Sequence, residues 1–224
     1  MIDTESLVPQ LQKQVKLLTD DLIAQSRNVA SIEFFLRENH TKLLESERLS
    51  QGYEEWTEDY LEQVAVSWVL SCVFVRFLED NHLIDECWIA GNGDRGKLAD
   101  GSYEIFFRSH PHESDREYLK FVFREAGKIP ATQELFLGKT VTLWAVDPSG
   151  DAARKLLLFF KEIDPEQGGL KRWFGTGASN SRQTEYRGGV SFTLEITQVA
   201  LELAKDTQFL GDLYQDLSEY ARKK

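Results

Sequence analysis

Cysteine occurs twice in these 224 residues, methionine once and proline five times. Two cysteines, Cys72 and Cys87, are too few for a disulfide framework and read as reduced core thiols of a cytoplasmic protein. The longest apolar run, Val64 to Phe77, is broken by Ser67, Ser71 and Arg76, so no uninterrupted membrane-spanning stretch is expected. The start, Met1-Ile2-Asp3-Thr4-Glu5-Ser6, lacks the basic residues and apolar core of a signal peptide. Net positive charge is also missing. The formal charge is −11, the wrong sign for a chain that grips nucleic acid with its whole surface. That balance favours protein contacts, with any nucleic-acid contact confined to local basic clusters.

What is present is ordinary globular material, 42% hydrophobic and 28% charged, with ample length for a core. Residues 6–27 predict a first helix, with Ser6 as cap and Pro9 in the first turn. Leu11, Val15, Leu18 and Leu22 form one stripe along it. That stripe fits an amphipathic helix lying on its own domain, with pairing to a partner helix as the alternative. A second helix is expected over 28–49. A third, over 54–83, is apolar on most sides, and such a helix must be surrounded by others. Further helices are expected at 98–109, 115–127 and 150–163, with Ser114 and Ser149 as caps. Residues 139–146 fit a short strand or an extended link. Residues 190–204 fit a strand or a helix equally well. A helix over 207–223 closes the chain, with Leu210, Leu213, Tyr214 and Leu217 on one face.

The fold class expected is mainly α: a helical domain around a long buried central helix, with one or two short strands at most. Residues 1–90 read as an N-terminal helical unit and 97–166 as a second helical unit packed on it. Residues 167–189 read as a flexible glycine-rich basic loop, and 190–224 as a C-terminal segment.

Few residues suggest chemistry. Arg76 reaches Glu79 or Asp80 at helical spacing, which reads as a structural ion pair more readily than as the anchor of a partner surface, and nothing nearby suggests a substrate pocket for a catalytic carboxylate pair. His110, His112, Glu113 and Asp115 lack the spacing of a metal site. Two stretches imitate a cofactor loop. Phe174 to Ser179 has the glycines but no buried strand before it, and Val141 to Gly150 has a single glycine. Lys171, Arg172, Arg182 and Arg187, interleaved with Trp173, Phe174 and Tyr186, form the one candidate nucleic-acid contact, weighed against a plain surface loop.

Three strings carry a family resemblance. They are Leu11-Gln12-Lys13-Gln14-Val15-Lys16, the run Trp68 to Ile84 containing Arg76-Phe77-Leu78-Glu79-Asp80-Asn81, and the closing Phe209 to Lys224 with Leu210-Gly211-Asp212-Leu213-Tyr214. Together they resemble the region before the catalytic domain of PglX-like adenine-specific DNA methyltransferases of the BREX and DISARM phage-defence systems. Similarity covers residues 1–170 and 206–224, and the intervening stretch fits poorly.

The resemblance implies a non-catalytic N-terminal scaffold of an S-adenosylmethionine-dependent enzyme that methylates adenine at N6. It implies no cofactor in this chain itself. The implied partners are the methyltransferase core of the same polypeptide, through Leu210, Leu213, Tyr214 and Leu217, other defence proteins, and DNA through the parent enzyme. No catalytic or cofactor residue of that family falls on a position here. The Asn- or Asp-Pro-Pro-aromatic motif is absent, since Asp147-Pro148 continues into Ser149 and Asp164-Pro165 into Glu166. The alternatives are a free-standing acidic interaction protein that mimics DNA charge, and a nucleic-acid-binding module using the 168–189 loop.

Overall fold

A computed structural model describes residues 4–46, 50–80, 82–91, 95–130, 132–138 and 142–161. Among them are seven α-helices and no strand: α1 (Thr4–Asn28), α2 (Ala30–Glu45), α3 (Tyr53–Asp80), α4 (Arg95–Ser109), α5 (Asp115–Gly127), α6 (Gln133–Leu137) and α7 (Gly150–Lys161). The architecture is mainly α around one long buried helix, as the apolar pattern requires.

That helix is α3. Leu61, Val64, Trp68, Val69, Cys72, Val73 and Val75 are fully buried in it. By length and mean hydropathy α3 would also serve as a membrane span, although charged residues interrupt its sequence. Here most of it is buried among the other helices. The α1 stripe of Leu11, Val15, Leu18 and Leu22 is buried at 3% exposure or less, and α1 packs mainly on α3. Each such side chain removed from water stabilises the fold by about 1.5–3 kcal/mol.

On the other side, α5 contributes Tyr118, Leu119, Val122 and Phe123 to the same core, and α7 contributes Ala153, Leu156, Leu157 and Phe160. Trp68 meets Phe123 edge-on at 5.4 Å, and Phe123 stacks on Phe136 of α6 at 6.0 Å. Gly127 makes the α5–α6 approach possible, because a Cβ there would lie 2.6 Å from Leu137 Cγ.

Several local expectations change. The first helix begins at Thr4, so Ser6 lies inside it, and Pro9 falls beyond the first turn. The second ends at Glu45. The third ends at Asp80 rather than near Leu83, because the chain turns left-handed at His82 (φ 55°). The Leu83 N–H then donates to Leu78 C=O at 3.0 Å and the His82 N–H to Glu79 C=O at 3.3 Å. This pair of bonds satisfies carbonyls that the helix end would otherwise leave open.

The 139–146 stretch holds no strand among its described residues. Thr142–Trp144 is a 3-10 turn, pinned to α3 by Ser67 Oγ and Thr142 Oγ1 at 2.6 Å. Helix α6 was not expected at all. Five residues carry too little periodicity to announce themselves.

Candidate functional site

Two places in the described fold bring together groups capable of more than packing. The first is the end of α3. Arg76 is 1% exposed and its Nη2 donates to Asp80 Oδ2 at 2.8 Å. Its Nε and Nη1 have no hydrogen-bond partner among the described residues. Glu79, fully buried, turns the other way. Its Oε1 accepts the N–H groups of Trp88 at 2.6 Å and Ile89 at 2.8 Å, and Oε2 accepts that of Ala90 at 3.0 Å.

The carboxylate thus clamps the 88–90 backbone. The same loop is held by Tyr118, whose hydroxyl donates to Trp88 C=O at 2.7 Å, and by Ser102, whose hydroxyl donates to Cys87 C=O at 2.8 Å. Arg95 Nη2 adds a bond to Ile84 C=O at 2.7 Å. Burial pushes the Glu79 carboxyl up to about 7, while Arg76 and the three N–H groups pull the other way. Both carboxylate oxygens are occupied by backbone. The arrangement is therefore suited to fixing a loop and not to shuttling protons to a substrate. Sequence spacing brought Arg76 and Asp80 together, but the 88–90 backbone bonds have no signature in sequence.

The second place is a groove of about 390 Å³ between the α1–α2 junction, the start of α2, α5 and the 144–147 turn. Val29, Ile32, Phe35 and Trp144 form its apolar lining, and all four are only partly buried. Arg116 and Lys120, one turn apart on α5, stand beside Asp147. Lys120 Nζ donates to Asp147 Oδ2 at 2.5 Å, and Arg116 Nε donates to Glu117 Oε1 at 2.5 Å. Glu117 also accepts the N–H of Ser114 at 3.1 Å and its hydroxyl at 2.5 Å, closing the start of α5. Partial burial alone would raise the Glu117 carboxyl. The Ser114 and Arg116 hydrogen bonds outweigh it and hold the group near 2.

The cofactor-loop imitation at 141–150 does not fit a methyl donor. The residues before Asp147 are a 3-10 turn and not a buried strand. Ser149 accepts the N–H of Ala152 at 3.1 Å as the cap of α7, and its own N–H and hydroxyl donate to Asp21. A Cβ on Gly150 would meet Ser114 at 3.2 Å. Those backbone and hydroxyl groups are already engaged and are not open to S-adenosylmethionine.

His110 stacks on Phe106 with ring centroids 4.7 Å apart, and its Nδ1 faces Phe106 C=O at 3.1 Å. Among the described residues no group of three or more His, Cys, Asp or Glu is placed to hold a metal ion. Lys171, Arg172, Arg182 and Arg187, and the apolar set Leu210, Leu213, Tyr214 and Leu217, lie outside the described residues. So does the glycine-rich stretch 174–179.

No protein-family profile matches the chain, and no solved structure matches it. One curated protein similar to it is the adenine-specific methyltransferase PglX of Streptomyces coelicolor. Identity is 34% over all 224 residues, whereas the chain spans only 17% of that protein's length. The matching part of PglX is its N-terminal end, and this chain is a PglX-like N-terminal region.

Proposed function

We propose that this chain is the non-catalytic N-terminal platform of an S-adenosylmethionine-dependent, N6-adenine-specific DNA methyltransferase that marks host DNA in a BREX- or DISARM-type phage-defence system. The observation that carries this reading is the end-to-end similarity to the N-terminal part of PglX. The fold is consistent with it. Residues from α1 through α7 share one hydrophobic core, a body large enough to present a surface. The described polar clusters fix backbone and caps, the work of a scaffold.

On this reading the methyltransferase core packs against the helical body, and contact with DNA belongs to the assembled enzyme. The apolar set Leu210, Leu213, Tyr214 and Leu217 would couple the platform to that core. The test is co-expression of tagged chain with a PglX-like polypeptide lacking the matching region. The two should co-purify in equal amounts, and Asp substitutions at Leu213 and Leu217 should reduce recovery. Failure of the wild-type chain to retain its partner would count against the platform role.

A further inference from the structure

We propose that the exposed stripe of α4 is the seat of the chain's own closing segment, Phe209 to Tyr220, packed antiparallel along it. The stripe is Leu98, Gly101 and Ile105, which share one side of the helix. Leu98 is 53% and Ile105 63% exposed, although Ala99 and Phe106 of the same helix are buried. Between them the backbone is bare. Among the described residues no atom lies within 4 Å of where a Gly101 Cβ would stand. A second helix can therefore approach closely, and covering the two large side chains removes apolar surface from water.

The occupant follows from where α7 stops and what comes next. α7 ends at Lys161, and that residue is fastened to α4. Its Nζ donates to Asp100 Oδ1 at 3.2 Å and stands 4.5 Å from the centre of the Tyr103 ring. Asp100 and Tyr103 lie on the opposite flank of α4 from the stripe. Residues 162–224 thus set out within one helix diameter, about 10–12 Å, of the seat. Joined to the same polypeptide, the segment meets the stripe at an effective concentration that a separate partner must supply by its abundance.

The segment fits in spacing and in charge. Leu210, Leu213, Tyr214 and Leu217 recur at three and four residues, over the same helical length as Leu98 to Ile105. Set antiparallel, Leu217 meets Leu98 and Leu210 meets Ile105. Leu213 and Tyr214 then fall over Gly101, large side chains above the one missing Cβ. Lys97 and Arg108, both exposed, line one flank of the α4 stripe. Asp212, Asp216 and Glu219 line the same-handed flank of the closing segment read as a helix. Antiparallel packing brings these two flanks together, and parallel packing sets them apart.

The inference deepens the platform reading by naming where on the body the closing helix couples, and it rests on that reading only for the core that follows. Its test needs the full 224-residue chain alone. Cysteine pairs are introduced and oxidised, with Cys72 and Cys87 buried and out of competition. Leu98→Cys with Leu217→Cys should close a disulfide within one chain. Leu98→Cys with Leu210→Cys, displaced by about 10 Å along the helix, should close at least tenfold more slowly.

Amide hydrogen exchange is the second readout. Residues 209–217 should exchange at least tenfold more slowly in the chain than in a synthetic peptide of the same residues. Leu98→Asp combined with Ile105→Asp should remove that protection and leave α3 exchange unchanged. Leu158→Asp, an exposed change on α7, should leave both unchanged. Equal closure of the two cysteine pairs would overturn the proposal. So would disulfides formed between two copies, exchange as fast as in the free peptide, or protection that survives the α4 double variant. Loss of co-purification with a PglX-like core while these results hold would count against the platform reading alone.

Discussion

Asp21 and Ser149, 128 residues apart, lock α1 to the first turn of α7. The Asp21 carboxylate accepts the Ser149 N–H at 2.8 Å and its hydroxyl at 2.6 Å, while Ser149 Oγ accepts the Ala152 N–H at 3.1 Å. The Ser149 side chain thus caps α7 and anchors it to α1, a helix distant only in sequence. Asp21→Ala should lower stability by about 1–2 kcal/mol, since it leaves the Ser149 N–H without its acceptor. Ser149→Ala should cost about as much through the lost cap. The double variant should lose less than the sum of the two, because they share one contact. Chemical denaturation of the four proteins measures this, and strict additivity would show that the contact carries no coupling.

Glu79 gives a prediction with a definite sign. Its folded-state carboxyl sits near 7, above the usual range, because of burial. Between about 4.5 and 7 the folded protein therefore holds a proton that the unfolded chain has released, and the Glu79 contribution falls as pH rises through that window. Glu79→Gln should flatten that part of the stability profile. It should also destabilise by about 1–3 kcal/mol at neutral pH, because an amide cannot accept all three backbone N–H groups. A profile unchanged in slope would show that Glu79 does not titrate there.

Glu117 has the opposite sign. Its folded-state carboxyl sits near 2, so its contribution is complete above about 4.5 and is lost as pH falls toward 2. Glu117→Gln should cost about 1 kcal/mol at neutral pH, the scale of a capping interaction. The difference from wild type should shrink in acid. Thermal unfolding at pH 7 and pH 3 compares the two, and an equal difference at both would contradict the assignment.

Both thiols should resist reagents in the folded chain. Cys72 and Cys87 are unpaired and buried, and burial raises both above the ordinary thiol value, Cys87 to about 11. Little thiolate is present at neutral pH, and the reagent's path is blocked. Aromatic disulfide titration should find both groups slow in buffer and fast in denaturant. Rapid labelling of Cys72 in buffer would contradict its burial in α3.

Much of the fold was legible because helix periodicity states which face is buried. Leu11, Val15, Leu18 and Leu22 show this in α1, and the all-round apolar α3 had to be the centre. The family signal lay in three strings taken together, Leu11 to Lys16, Trp68 to Ile84 and Phe209 to Lys224. What sequence hid is contact between distant segments. Nothing in Trp88-Ile89-Ala90 announces that its amides bind Glu79, and nothing in Asp21 points to Ser149. The α2–α5 groove is built from three separate stretches, so no window along the chain contains it. The left-handed residue that ends α3 is His82, where glycine would have been the readable signal.

On the proposed reading, this helical body supports methyl transfer without performing it. The direct measurement is transfer of labelled methyl groups from S-adenosylmethionine to adenine in DNA. It compares the chain alone, a PglX-like polypeptide lacking the matching region, and the co-expressed pair. The account predicts no labelling by the chain and more labelling by the pair than by the truncated polypeptide. Labelling by the chain alone, at a rate that follows its concentration, would contradict it.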